Sequence, residues 1–212
     1  MADKGKAHIR YKNSKGGIVP GASTIANMLD KPALAPWANK LGLQGINSND
    51  YSRKMAQIGT LAHSMIMADL KHEKVDTSEY SQEQISGAEN SYLSWLEWSK
   101  YKTIKPIIIE EPMVSERYQF GGTPDFLGEI NGIMTLADYK TGGIWREAYF
   151  QTCAYRQLTI ENGYPPADKI LILGFPRTED EKFQEVTYTS LDKGWEVFVY
   201  LLKVYDLLRG IK

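Results

Sequence analysis

The sequence predicts a mixed α/β (α+β) domain: a central mixed sheet flanked by helices, with a helical extension before it. Three observations carry this expectation. Apolar residues recur at helical spacing across 52–70 and again across 81–101. Short runs rich in β-branched or apolar residues, at 107–109, 133–137 and 170–173, are bounded by Pro, Gly or charge, as strands are. A helical stretch at 145–162 separates the last two of these runs, so helices and strands are interleaved.

With 212 residues, the chain is most simply a single domain with a sizeable core. Hydrophobic content of 42% and charged content of 24% are those of an ordinary soluble fold. The formal net charge of −1 means that any contact with a polyanion must rely on locally concentrated cations. One cysteine, Cys153, excludes an internal disulfide framework, a Cys-rich zinc site and a four-cysteine iron–sulfur cluster within the chain. No apolar run approaches the roughly 20 residues of a membrane span, and the N-terminus has no signal core. A cytoplasmic protein without membrane contact is expected.

Residues 1–17 carry Lys4, Lys6, Arg10, Lys12 and Lys15 against Asp3 and read as a flexible basic arm, either simply solvated or touching phosphates. Residues 23–101 read as mostly helical. Ser23 or Thr24 suits the cap of a short helix through Met28 and Leu29, and Pro32 opens the next, ending near Gly42 with Trp37 in the core. Met55, Ile58, Ala62, Met65 and Ile66 give the 52–70 helix its buried face. Ile85, Ala88, Tyr92, Trp95 and Leu96 do the same for a long helix from about Ser81 to Tyr101.

The core sheet is expected over 104–190. Its first strand is Ile107 to Glu111. The second carries Tyr118–Phe120 into Gly121, Gly122 and Asp125, and the third ends at Thr141. After the 145–162 helix come a buried strand at 169–175 and an edge strand at 183–189. A last helix, 192–209, is apolar nearly all round; it is either sandwiched in the core or part of a contact between copies of the chain.

The most informative stretch is GGTPDFLGEINGIMTLADYKT, residues 121–141. In a strand ending at Thr141, side chains alternate, so Asp138 and Lys140 share one face and Tyr139 takes the other. The Asn131–Gly132 pair favours a tight hairpin, which would fold Asp125 back towards Asp138. Two carboxylates and an ammonium at one point suit a hard divalent cation and a polarised water. Asp180-Glu181-Lys182 repeats the Asp-x-Lys pattern, but within a charged run and with no apolar strand before it. It reads as a solvated turn. Cys153 has no base near it in the sequence, so a thiol nucleophile is not expected.

The Pro-Asp and the Asp-x-Lys, with twelve residues between Asp125 and Asp138, resemble the PD-(D/E)XK nuclease superfamily, and most of all its RecB-like and phage-type exonuclease branch. The resemblance implies a restriction-endonuclease-like αβββαβ core and metal-dependent hydrolysis of DNA. Asp125, Asp138 and Lys140 take the catalytic places in that scheme. Gly59-Thr60-Leu61-Ala62-His63 matches the branch's helical motif, making His63 a metal ligand and Thr60 a DNA contact. By chemistry alone a single His on a helix is usually a structural residue.

The same resemblance gives one or two Mg²⁺ or Mn²⁺ ions, held by Asp125, Asp138, His63 and the Tyr139 carbonyl, with Glu111 either a further ligand or a surface acid at the sheet edge. Gln151 and Tyr155, four apart on one helix face, match its Gln-x-x-x-Tyr element and read as exposed side chains, with core packing the alternative for Tyr155; with Thr141 and Arg146 they are candidate DNA contacts. Expected partners are DNA and a single-strand annealing or recombination protein, in a bacterial or phage-infected cell and in recombination, repair or processing. Two other readings stay open: a non-catalytic DNA-binding or assembly module on the same fold, and a structure-specific endonuclease.

Overall fold

The computed structural model describes residues 10–211. It is a five-stranded mixed sheet between two layers of helices. In chain order the elements are helix α1 (Ala22–Ala26), α2 (Leu34–Leu43), α3 (Ser48–Lys71), α4 (Gln82–Ser99), strands β1 (Ile104–Ile109), β2 (Met113–Ser115), β3 (Phe120–Gly122), β4 (Phe126–Ile130) and β5 (Ile133–Thr141), then α5 (Arg146–Glu161), β6 (Lys169–Phe175), β7 (Gln184–Tyr188) and α6 (Asp192–Gly210). The sheet runs β1-β4-β5-β6-β7, and β2 pairs with β3 in a separate ribbon. All the pairs are antiparallel except β5 with β6. Helix α5 makes that parallel crossover, as two parallel neighbours require. Among the described residues no helix is long and apolar enough to cross a membrane.

The two long N-terminal helices form where local signals agree. Asn47 caps α3 by accepting from the amides of Asn49 and Asp50. Ser81 and Gln84 close a capping box at the start of α4. Both helices cover one face of the sheet, where Trp95, Phe126, Tyr139, Leu173 and Phe175 pack together. Helices α1, α5 and α6 cover the other face over Leu127, Leu136, Ile170 and Ile172. Strand β5 therefore alternates between two cores, as expected of a fully covered central strand. The expected hairpin is present: Phe126 pairs with Ala137 and Ile130 with Ile133. Asn131 and Gly132 both adopt left-handed conformations, φ 52° and 79°, as the tight turn between twisted strands demands.

Several expectations are corrected. Helix α1 is shorter than read and starts after Gly21, with no side-chain cap from Ser23 or Thr24. The stretch from Tyr118 to Asp125 is not one strand of the main sheet. Gln119 is left-handed (φ 56°), Phe120–Gly122 pairs with Met113–Ser115, and the sheet strand begins only after Asp125. Residues 10–17 are not a solvated arm. They make a tight turn in which Asn13 O accepts from Gly16 N, and Tyr11 OH lies 2.9 Å from Thr123 Oγ1. Ser14 meanwhile donates to Glu116. The arm expected over residues 1–9 lies outside the described residues. Trp37 is half-buried, edge-on to Tyr51, rather than in a core. Helix α6 is not sandwiched in the core: Phe198 and Leu202 are buried, while Tyr200, Val204, Leu207 and Leu208 are exposed.

Candidate active site

The hairpin places the acids. Asp125 immediately precedes β4, and its Oδ2 accepts from the Tyr139 amide of β5 at 2.8 Å. Asp138 and Lys140 share a face as predicted. Lys140 Nζ donates to Asp138 Oδ1 at 3.1 Å and lies 2.8 Å from Oδ2. The Tyr139 ring turns the opposite way, between Trp95 and Phe175.

Helix α3 brings His63 to the same point. Its Nε2 is 3.1 Å from Asp125 Oδ1 and its Nδ1 is 3.2 Å from Glu110 Oε1. One turn before His63, a Cβ on Gly59 would run into Thr141 Oγ1. The absence of that carbon lets α3 lie against the end of β5. Gly59→Ala is therefore expected to push the two apart, costing about 1–3 kcal/mol as overpacking does, and to lower activity through displacement of His63. Thermal melting beside cleavage assays checks this; wild-type values for both would show that the close approach is dispensable.

Burial and charge act together on these groups. Burial works against the His63 imidazolium, but Asp125 and then Glu110 outweigh it and push its pKa up to about 9. Burial also works against the Asp125 carboxylate, yet the His63 and Lys140 charges and the Tyr139 amide hold it below the usual carboxylate range. At Asp138 burial prevails over Lys140, and the carboxyl is raised. Lys140 is itself raised, because Asp138 and Asp125 overcome its own burial. An imidazolium and an ammonium thus offset two of the three acids, and Lys71 lies 3.9 Å from Glu110 Oε2.

Glu111 does not belong to this cluster. Its carboxylate accepts from Tyr164 OH at 3.0 Å, away from the cleft. Glu110 stands there instead. It follows the last residue of β1 in a left-handed conformation (φ 52°), with its amide donating to the Asp125 carbonyl. That twist interrupts strand alternation and turns Glu110, not Glu111, towards His63. A Glu-Glu pair at a strand end signals an acid; which of the two reaches inward depends on the backbone.

The candidate DNA contacts separate. Gln151 lies in the cleft: its Oε1 accepts from Lys140 Nζ at 3.3 Å and its Nε2 donates to Tyr155 OH at 2.5 Å. Tyr155 is not the exposed contact expected. It is buried in the core around α5, and its hydroxyl holds Gln151 in place. Thr60 and Thr141 line the cleft, Thr60 donating back to the Ala56 carbonyl of its own helix. Arg146 is exposed, points to the Asp30 carbonyl and lies outside the cleft. Arg10 and Tyr11 form part of the cleft wall, which no sequence pattern signalled. The second Asp-x-Lys is a turn in which Glu181 pairs with Arg177. Cys153 is a buried residue of α5 facing Gly194 of α6, and burial pushes its thiol up to about 12.

The cleft has a volume of about 900 Å³. Its donors, carboxylate oxygens with one imidazole, are those a hard divalent ion takes. Asp138 Oδ2 and His63 Nδ1 are both buried, and each faces only an ionic partner, Lys140 Nζ at 2.8 Å and Glu110 Oε1 at 3.2 Å. No three of the described side chains form a ready cage, since His63 and Lys140 already engage the acids. A metal would enter by replacing those internal cations, and His63 would have to give up its proton to bind it.

His63→Ala is expected to weaken Mn²⁺ affinity by at least the roughly 10–100-fold that losing an outer-shell partner costs. It also takes the shared cation from Asp125 and Glu110, so the metal-free protein should melt earlier. The decisive quantity is the rise in melting temperature on adding Mn²⁺. A rise equal to that of the wild type would make His63 a structural residue.

No protein-family model matches the chain, and no curated protein matches it. Among solved structures, an exonuclease candidate from Eubacterium rectale is similar over 72% of this chain and 68% of its own, with 14% identity and a TM-score of 0.48. An alkaline exonuclease from Laribacter hongkongensis is similar over 90% and 91%, with 12% identity and a TM-score of 0.34. Likeness at this level carries no functional inference, which is left to the site's own geometry and the sequence motif.

Proposed function

We propose that the protein is a divalent-metal-dependent nuclease that hydrolyses phosphodiester bonds in DNA, acting from strand ends. The observation that carries this reading is the meeting of Asp125, Asp138, Lys140, His63 and Glu110 in one cleft from four separate parts of the chain. Asp125, Asp138, His63 and the Tyr139 carbonyl would hold one or two Mg²⁺ or Mn²⁺ ions, with Glu110 in the place that the resemblance gives to Glu111. Such an ion, when bound, supplies Lewis acidity at the phosphate and a bound water of lowered pKa.

The protein's own groups do the rest. Lys140, kept cationic by its carboxylate neighbours, offers a fixed positive charge to the phosphate or its attacking water. Gln151, tied to Tyr155, limits where that ammonium can point. Tyr139 anchors the strand from the other side, so Asp138 and Lys140 reach the cleft from a rigid base. Action from a terminus is supported by the motif's resemblance to the RecB-like and phage-type branch alone. So are a role in recombination or repair and a recombination or annealing protein as partner.

The test is incubation of the protein with end-labelled linear DNA and covalently closed circular DNA, with Mg²⁺ or in excess EDTA. Release of nucleotides from the linear substrate only, abolished by EDTA, is the expected result. Undiminished cleavage in EDTA would remove the metal mechanism, and rapid nicking of the circle would make the enzyme an endonuclease.

A further inference from the structure

A second cavity, of about 990 Å³, adjoins the cleft; Lys140, Thr141 and Gln151 line both. Its lining includes three aromatic residues, Trp37 of α2, Tyr51 near the start of α3 and Trp145 just before α5. Trp37 and Tyr51 meet edge-on, 6.1 Å apart at 64°. Trp145 is 55% exposed, and no aromatic ring packs on it among the described residues. An indole this open beside a polar cleft is costly to leave in water and well suited to stacking.

The cations of this cavity are already engaged. Lys31 Nζ lies 2.7 Å from Glu147 Oε1 and also donates to Asn27. Arg177 is held by Glu181 through its guanidinium and its backbone amide. Lys140 belongs to Asp138 and Gln151. A phosphate placed here would have to displace a carboxylate, whereas a flat uncharged ring would not. Resting on the nuclease reading of the adjoining cleft, we infer that this cavity takes an unpaired nucleobase, stacked on Trp145, from the strand whose phosphate lies over Asp125 and Asp138. The substrate is accordingly a single-stranded or frayed end, because a base inside a duplex is not free to enter. Asn27, Ser52 and Gln151 offer polar edges, but stacking dominates and the site tolerates any base.

The test compares binding of a short labelled oligothymidylate with binding of its fully abasic counterpart, by fluorescence anisotropy with Ca²⁺ in place of Mg²⁺. The wild-type protein should prefer the base-bearing strand. Trp145→Ala should lose about fivefold to a hundredfold on it and little on the abasic strand, the range found when one stacking aromatic is removed. Trp145→Phe, which keeps a ring, should retain most of the preference. Equal wild-type affinity for the two strands, or equal losses on both in Trp145→Ala, would overturn the assignment; the wild-type comparison needs no variant to fold. Base-dependent binding by a protein that cleaves no DNA in Mg²⁺ would sink the nuclease proposal and leave this cavity's role standing. Cleavage with base-blind binding would do the reverse.

Discussion

Asp138→Asn is expected to reduce cleavage by more than the roughly 10²–10³ that one electrostatic stabiliser is worth. The substitution keeps the side chain's size and leaves an acceptor for Lys140, so the buried site is not emptied. It removes the charge of a side chain that is 1% exposed and held against Lys140. In the metal-free protein the loss of that charge is partly offset, because burial works against it and raises the Asp138 carboxyl. The penalty should therefore appear on metal binding and turnover rather than on melting temperature. Calorimetric titration with Mg²⁺ or Mn²⁺ beside single-turnover cleavage separates these. Unchanged metal affinity would remove Asp138 from the ligand set.

Lys140→Ala should behave differently, with turnover falling by about 10²–10³, or roughly 2.7–4 kcal/mol of transition-state stabilisation. Metal should still bind, and more tightly than in the wild type, because the ammonium beside Asp138 and Asp125 opposes an incoming cation. Gln151 loses the donor that its Oε1 accepts from, while its bond to Tyr155 remains. The check is the same pair of measurements at saturating DNA. If the variant loses DNA affinity yet cleaves at the wild-type rate once saturated, Lys140 is a phosphate anchor and not part of the chemical step.

The sequence disclosed those features of the site that depend on local rules. Asn131–Gly132 specifies its turn through backbone conformation, and strand alternation puts Asp138 with Lys140, so the hairpin that brings Asp125 to β5 could be drawn in advance. The helices α3 and α4 follow from the periodicity of their apolar residues. What escaped depends on single residues in unusual conformations or on distant side chains. Glu110 and Gln119 are left-handed without being glycine, and each resets which side chains face where. The turn at residues 10–17 is held by Thr123, Glu116 and Gln119, about a hundred positions away, with no apolar pattern of its own. Tyr155 reads as exposed because a polar residue spaced four from Gln151 resembles a surface pair; only the packing of α5 on α6 and the sheet buries it.

The Asn131–Gly132 turn lies at the far end of the hairpin from the cleft, roughly 20 Å from Asp138 along the strand. The register it helps to set nevertheless decides what the cleft can hold. Were β5 to slide a single place against β4, the strand's two faces would exchange. Tyr139 would then look into the cleft, while Asp138 and Lys140 would be driven between Trp95 and Phe175, where neither charge could be hydrated. Parallel pairing with β6 and the cores on both faces hold β5 in phase, so the makeup of the candidate site is fixed by strand pairing as much as by the residues that line it.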